Sequence, residues 1–279
     1  MTKTRLLLLP ALGLLHVALP LTAAQDALSE IQAIVQPVAL FGGNEWTDPA
    51  NYQAKAIAWL ESDPVSANNN NNNIADARIQ QRYALACIYY ATFAVPTMYT
   101  VAEPRGWIDA TGWLSDADEC TWFGLTCNDN SEVEKIALGV NRLTGTFPAE
   151  TAIMASSITH IDLFRNYVHN AGDAGNAWMG QLTNLTHLYY GQTNFEYDGI
   201  PPQIGQLTNL IEYDCSFTRY FGPLAGSTFA PLQNLEYLVL TAKFSKVIER
   251  LQVIVFRRPL SKIQRTKYRR RARVRTANR

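Results

Sequence analysis

One spacing constrains this chain more than any other property: from Val133 onward the pattern L-x-x-L-x-L-x-x-N-x-L recurs in a single register. The first copy is Val133, Ile136, Leu138, Asn141 and Leu143, and the second is Ile158, Ile161, Leu163, Asn166 and Val168. The third uses Leu185, Leu188, Tyr190, Thr193 and Phe195, and the fourth Leu210, Tyr213, Cys215, Thr218 and Tyr220. A fifth opens with Leu235, Leu238 and Leu240 and then breaks, its asparagine slot falling on Lys243 and its next apolar slot on Ser245. The copies start 25, 27, 25 and 25 residues apart. No unit of that size buries its own apolar edge, so the pattern predicts a stacked array.

Each slot has a physical job. Residues at the first, fourth and sixth places point into a core shared between coils. The asparagine place needs a side chain that bonds the backbone where the strand turns. Thr193 and Thr218 do this less completely than Asn141 and Asn166. Each coil contributes one short strand, and the strands pair in parallel on a concave face. The third slot puts Lys135, His160, His187, Glu212 and Tyr237 in one outward row, and the fifth puts Ala137, Asp162, Tyr189, Asp214 and Val239 in the next. Phe164, Arg165, Gln192 and Phe217 lie further along. Parallel strands sit ~4.8 Å apart, so His160 and His187 become neighbours flanked by Asp162 and Glu212. Such a group suits a metal or an acid–base pair in an enclosed cleft. On an open, solvated sheet, aromatic rings among carboxylates read instead as a recognition surface.

The steps after the strands, Gly145-x-Phe147-Pro148 and Gly199-Ile200-Pro201, make the array similar to the plant-type leucine-rich repeat of receptor-kinase ectodomains and polygalacturonase-inhibiting proteins. The stretch Trp113-Leu114 through Cys120-Thr121-Trp122-Phe123-Gly124-Leu125-Thr126-Cys127 resembles that family's N-terminal cap, in which two cysteines bracket Trp-x-Gly. The helix–cap–repeat arrangement also resembles chains of diatoms and other algae. The likeness covers about residues 48–242. It implies an α/β leucine-rich-repeat solenoid with parallel strands on the concave face and an α-helical N-terminal cap. It also implies a Cys120–Cys127 disulfide. The spacing of seven suits a local bridge, and a zinc site would need two further ligands that are not near in sequence. The chain departs from the family in a longer helical region before the cap, and in lacking a C-terminal cap, a membrane span and a kinase signature.

Outside the repeats, Lys3 and Arg5 precede an apolar run over residues 6–21 with small residues after it, which predicts a signal peptide over residues 1–24. Helical spacing is expected over residues 26–40, from Asp48-Pro49 to about Leu60, and over residues 74–94. Together with the cysteine pair these make a cap region, residues 25–128, ahead of repeats over residues 129–242. Six asparagines, residues 68–73, read as a disordered loop. Cys87 and Cys215 sit in apolar settings and are expected to be free core thiols. Asn184-Leu185-Thr186 is an N-glycosylation sequon.

The formal charge of zero hides an asymmetry. Residues 243–279 hold 14 of the 24 basic residues and one acidic residue, Glu249, whereas residues 25–242 carry a net charge of −15. The basic segment is expected to be a disordered tail, with a short helix over its apolar residues, such as Val253 and Phe256, as the ordered alternative. No nucleic-acid partner is expected from it. The motifs of serine hydrolases, zinc proteases, phosphate-binding loops and kinases are absent from the sequence. The expectation is therefore a secreted or cell-surface recognition module, without cofactor, metal or catalysis. It would bind a protein, peptide or glycan through its concave face. The alternatives are the truncated ectodomain of a receptor-like kinase and a secreted inhibitor of a hydrolase.

Overall fold

The computed structural model describes residues 30–67, 74–93, 106–170, 174–198, 200–221, 225–242 and 252–257. The expected signal peptide, the asparagine run, Lys243, Ser245 and residues 269–275 lie outside the described residues. Eleven strands form in chain order: β1 Leu125–Cys127, β2 Val133–Ala137, β3 Thr144–Thr146, β4 His160–Asp162, β5 Tyr167–His169, β6 His187–Tyr189, β7 Glu196–Asp198, β8 Glu212–Asp214, β9 Arg219–Phe221, β10 Tyr237–Ala242 and β11 Gln252–Arg257.

The main sheet has seven strands in the order β1-β2-β4-β6-β8-β10-β11. Its five central members are the five repeats, paired in parallel with the core slots facing one another: Ile136, Ile161, Leu188, Tyr213 and Leu238 align across the ladder. These residues are all buried, and the core they belong to runs without a break from Ala84 to Leu240. Two smaller parallel pairs, β3 with β5 and β7 with β9, form on the flank where each coil turns away from the main sheet.

The asparagine slot behaves as its chemistry requires. Asn166 Nδ2 donates to Leu138 O at 2.8 Å and Leu163 O at 2.9 Å, while its Oδ1 accepts from Asn141 N at 3.1 Å and Leu143 N at 3.0 Å. One amide thus ties two coils together. Thr193 and Thr218 each make only the bond within their own coil, to Tyr190 O at 2.7 Å and Cys215 O at 2.8 Å. Tyrosines enter the core slots of the third and fourth coils because their hydroxyls find one another there. Tyr220 donates to Tyr190 at 2.9 Å, and Tyr190 bonds Tyr213, so none of these three buried hydroxyls is left unpaired.

Before the repeats, helices α1, Tyr52–Ser62, and α2, Asp76–Thr92, pack against each other around Ile57, Leu60, Ile79 and Tyr83. Helix α1 starts later than the Asp48-Pro49 signal predicts, because Asp48 Oδ1 accepts from Ala50 N and closes a turn first. The helix expected over residues 26–40, of which 26–29 lie outside the described residues, ends early as well. Residues 30–35 are helical and Gln36–Val38 is a 3₁₀ turn, since Pro37 lacks the N–H that a longer helix needs. One face of α2, Ala84, Leu85 and Ile88, joins the same core as the first coil and as Trp107, Trp113 and Trp122.

Part of the segment expected to be a disordered tail is ordered: β11 pairs antiparallel with β10, with Arg257 opposite Tyr237 and Gln252 opposite Ala242. It is a strand where a helix was the ordered alternative, because Val253, Ile254, Val255 and Phe256 favour extended backbone beside an unpaired sheet edge. At the other end β1 adds to the sheet antiparallel to β2. No helix among the described residues is long and apolar enough to cross a membrane.

Candidate functional site

The outward rows fall where the repeat places them. Lys135, His160, His187, Glu212 and Tyr237 are successive ladder partners, as are Ala137, Asp162, Tyr189, Asp214 and Val239. All ten therefore share one sheet face. Beyond the strands the ladder continues through backbone bonds from Val140 N to Phe164 O, Arg165 N to Gly191 O and Gln192 N to Ser216 O.

That continuation has an unexpected backbone. Val140, Arg165, Gln192 and Phe217 occupy the same slot in four coils, and all adopt left-handed φ values of 58°, 55°, 56° and 53°. None carries the glycine or asparagine that normally marks this conformation. The turn exposes the side chains of Arg165, Gln192 and Phe217 at the rim of the face, and Phe164 beside them is half-buried.

At the centre, the imidazoles of His160 and His187 stack face to face, with centroids 4.1 Å apart and planes within 9°. Each Nδ1 is held by the threonine before it: Thr159 Oγ1 at 2.7 Å for His160 and Thr186 Oγ1 at 2.8 Å for His187. Burial lowers the pKa of His160, and the neighbouring His187 and Lys135 lower it further, against smaller opposite pulls from Glu134 and Glu212. Tyr189 OH donates to Glu212 Oε2 at 2.6 Å, and burial, then that carboxylate, raise the phenol's pKa.

The two aspartates are placed by their own turns. Asp162 Oδ1 accepts from Phe164 N and Asp214 Oδ1 from Ser216 N, both at 2.8 Å. Burial raises the pKa of Asp162, and the charge of Asp214 adds to the effect. Both carboxylates lean over a glycine of the preceding coil. A Cβ on Gly139 would meet Asp162 Oδ2 at 2.9 Å, and one on Gly191 would meet Asp214 Oδ1 at 2.7 Å and Phe164 Cδ2 at 3.1 Å. Gly139, Gly191, Thr159 and Thr186 thus shape the face although the outward slots alone do not single them out. Among the described residues no cation lies in ion-pair range of Asp162, Glu212 or Asp214.

Elsewhere, Cys120 and Cys127 are joined, with Cα atoms 5.4 Å apart. Cys87 and Cys215 are buried and free, and burial pushes both thiols up. Asn184 is exposed, yet its Nδ2 donates to Ser156 O at 2.9 Å. Asn209 and Asn234 make the same link to the preceding coil, at 2.9 and 3.0 Å. The asparagine of the sequon therefore also belongs to an inter-coil ladder.

No family model matches the chain, and no curated protein matches it. Solved structures do resemble it in part. The ectodomain of BIR2 from Arabidopsis thaliana is 23% identical over 46% of this chain and 65% of its own length, with a TM-score of 0.40. The BIR3–SERK2 complex from Arabidopsis thaliana gives 20% identity over 47% of this chain and 68% of that one, with a TM-score of 0.41. The Arabidopsis receptor kinase HAESA, in complex with the peptide hormone IDA and the co-receptor SERK1, gives 20% over 47% and 25%, with a TM-score of 0.38. The chain thus spans less than two thirds of the first of these structures and a quarter of the last.

Proposed function

We propose that this chain is a recognition module that binds a protein or peptide across the main-sheet face. The observation that carries the reading is the face itself. It combines a stacked histidine pair, three carboxylates without a cationic partner among the described residues, and the aromatic rings of Tyr189, Phe164, Phe217 and Tyr237. Exposed aromatic rings beside charged groups are what binding energy concentrates on. The side chains are fixed by threonines, by turns at the strand ends and by inter-coil bonds, so little rotamer freedom is lost when a ligand arrives.

The reading extends to location and to the ends of the array. The N-terminal leader and the Cys120–Cys127 bridge support an exported chain, with Asn184 as its glycan acceptor. Helix α2 serves as the cap that covers the first coil's apolar end, the requirement of every stacked repeat.

The test is a random-peptide display library panned against the full chain and against surface variants. Binding through this face predicts that Glu212→Lys abolishes enrichment of the peptides that the unaltered chain selects. Gln181→Lys and Gln206→Lys, exposed in the connections on the far side of the coils, should leave it intact. Equal losses from both sets would overturn the assignment.

A further inference from the structure

The hydrogen-bonding polarity of the face narrows what it can bind. Thr186 Oγ1 lies 3.0 Å from Thr159 O, and Thr159 Oγ1 lies 3.3 Å from Glu134 O and 3.4 Å from Glu134 Oε1. The same hydroxyls lie 2.8 and 2.7 Å from Nδ1 of His187 and His160, so that nitrogen of each ring is held against the sheet. Nε2 of each ring is left for a ligand. In an imidazole that nitrogen is remote from Cβ, so it points away from the sheet.

Next along the row, Glu212 uses Oε2 to accept from Tyr189, leaving Oε1 open. Asp162 and Asp214 each use Oδ1 on a backbone N–H, leaving Oδ2. Of the two phenols on the face, Tyr189 is already donating to Glu212, and Tyr237 stands one strand further out. The centre of the face therefore offers open carboxylate oxygens beside the stacked imidazoles, on adjacent strands ~4.8 Å apart, and carries negative charge that no cation among the described residues neutralises. The donors Lys135 and Arg165 stand at its borders, on the first strand and at the rim.

Resting on the reading of this face as a binding surface, we propose that its partner is a peptide segment presenting an arginine side chain. Its guanidinium seats over the His187–Glu212 step, between the stacked histidines and the aspartates. The planar fork of a guanidinium reaches two acceptors at once, whereas an ammonium is a point donor. Its flat face also suits the rings of Phe164 and Tyr189. The segment belongs to a partner molecule, and the charge complement is positive on that side.

The experiment uses the same display library and the full chain. Peptides lost on Glu212→Lys should be enriched in arginine. A synthetic version of one such peptide should bind roughly tenfold or more weakly when its arginine is replaced by citrulline, which keeps the shape and removes the charge. Glu212→Gln should weaken the arginine peptide by a similar factor and barely affect the citrulline peptide. Displacement by a synthetic peptide of residues 262–275 would identify this chain's own arginine-rich segment as a competing occupant, and would uphold the guanidinium site. Peptides that need this face but carry no basic residue, or a citrulline form that binds equally well, would overturn the inference and leave the binding reading standing. Peptides that bind and ignore every substitution on the face would overturn both.

Discussion

Arg82 Nη1 donates to Glu119 Oε2 at 2.8 Å with both side chains fully buried, joining helix α2 to the segment just ahead of the first coil. Arg82 also grips Asp63 in bidentate fashion, at 2.9 and 3.0 Å, and its guanidinium lies 5.2 Å from the Trp59 ring and 5.1 Å from the Trp122 ring. Burial alone would push the Glu119 carboxyl up. The hydrogen bonds from Arg78 and the charge of Arg82 outweigh it and hold it below its usual value.

Removing Arg82 leaves buried Asp63 without a cation and Glu119 with Arg78 alone, so Arg82→Leu is expected to cost about 3–5 kcal/mol in urea denaturation. A carboxyl held below its unfolded value stabilises the fold above that value and loses the contribution as pH falls through the folded one. Stability attributed to Glu119 should therefore decline below about pH 4. Glu119→Gln should flatten that decline. An Arg82→Leu chain as stable as the unaltered one would show that the ion network contributes nothing.

Val140 is strained by the rim conformation it shares with Arg165, Gln192 and Phe217. A β-branched residue at φ 58° carries a steric cost of about 1–2 kcal/mol, and with 55% of its surface exposed Val140 gains little burial in return. Val140→Gly should raise thermal stability by roughly 1 kcal/mol after the entropy of the unfolded glycine is counted. A lower melting temperature would mean that the valine side chain matters more than its backbone.

Cys120 and Cys127 close a loop of seven residues' separation ahead of β2. The chain-entropy account of so short a loop gives about 2–3 kcal/mol, so Cys120→Ser with Cys127→Ser should lose that much in a reversible denaturation series.

Binding of a cationic partner should weaken in acid. The groups around His160 are Glu134 and Lys135 on β2, Asp162 on its own strand, His187 and Tyr189 on β6, and Glu212 and Asp214 on β8. Protonating His160 adds positive charge to the face, so affinity should fall as pH drops below the free-imidazole value of about 6.5. Burial, His187 and Lys135 place the His160 step lower than that of a free imidazole. Titrations of the arginine peptide between pH 5 and 8 check this, and affinity that rises in acid would contradict it.

The register of the five central strands was legible because the L-x-x-L-x-L spacing and the strand ladder are the same constraint. The ladder partners of His160, His187 and Glu212 follow directly from it. The rim conformation was not legible: Val, Arg, Gln and Phe carry no local preference for it, and the backbone bonds to the next coil impose it. The pairing of Arg82 with Asp63 and Glu119 was hidden for a related reason, since those residues lie 19 and 37 positions away and follow no period. Strand β11 is not legible in the sequence because a short apolar run fits helix or strand equally, and only the free edge of β10 decides between them.

The most direct test of the account is a hydroxyl-radical footprint of the full chain with and without a peptide it selects. Binding across the main-sheet face predicts protection of Phe164, His187, Tyr189 and Phe217, with Phe41 and Tyr167, both exposed and off that face, oxidised equally in the two states. Protection of Phe41 or Tyr167 with His187 and Tyr189 unchanged would place the binding surface elsewhere and contradict the central claim.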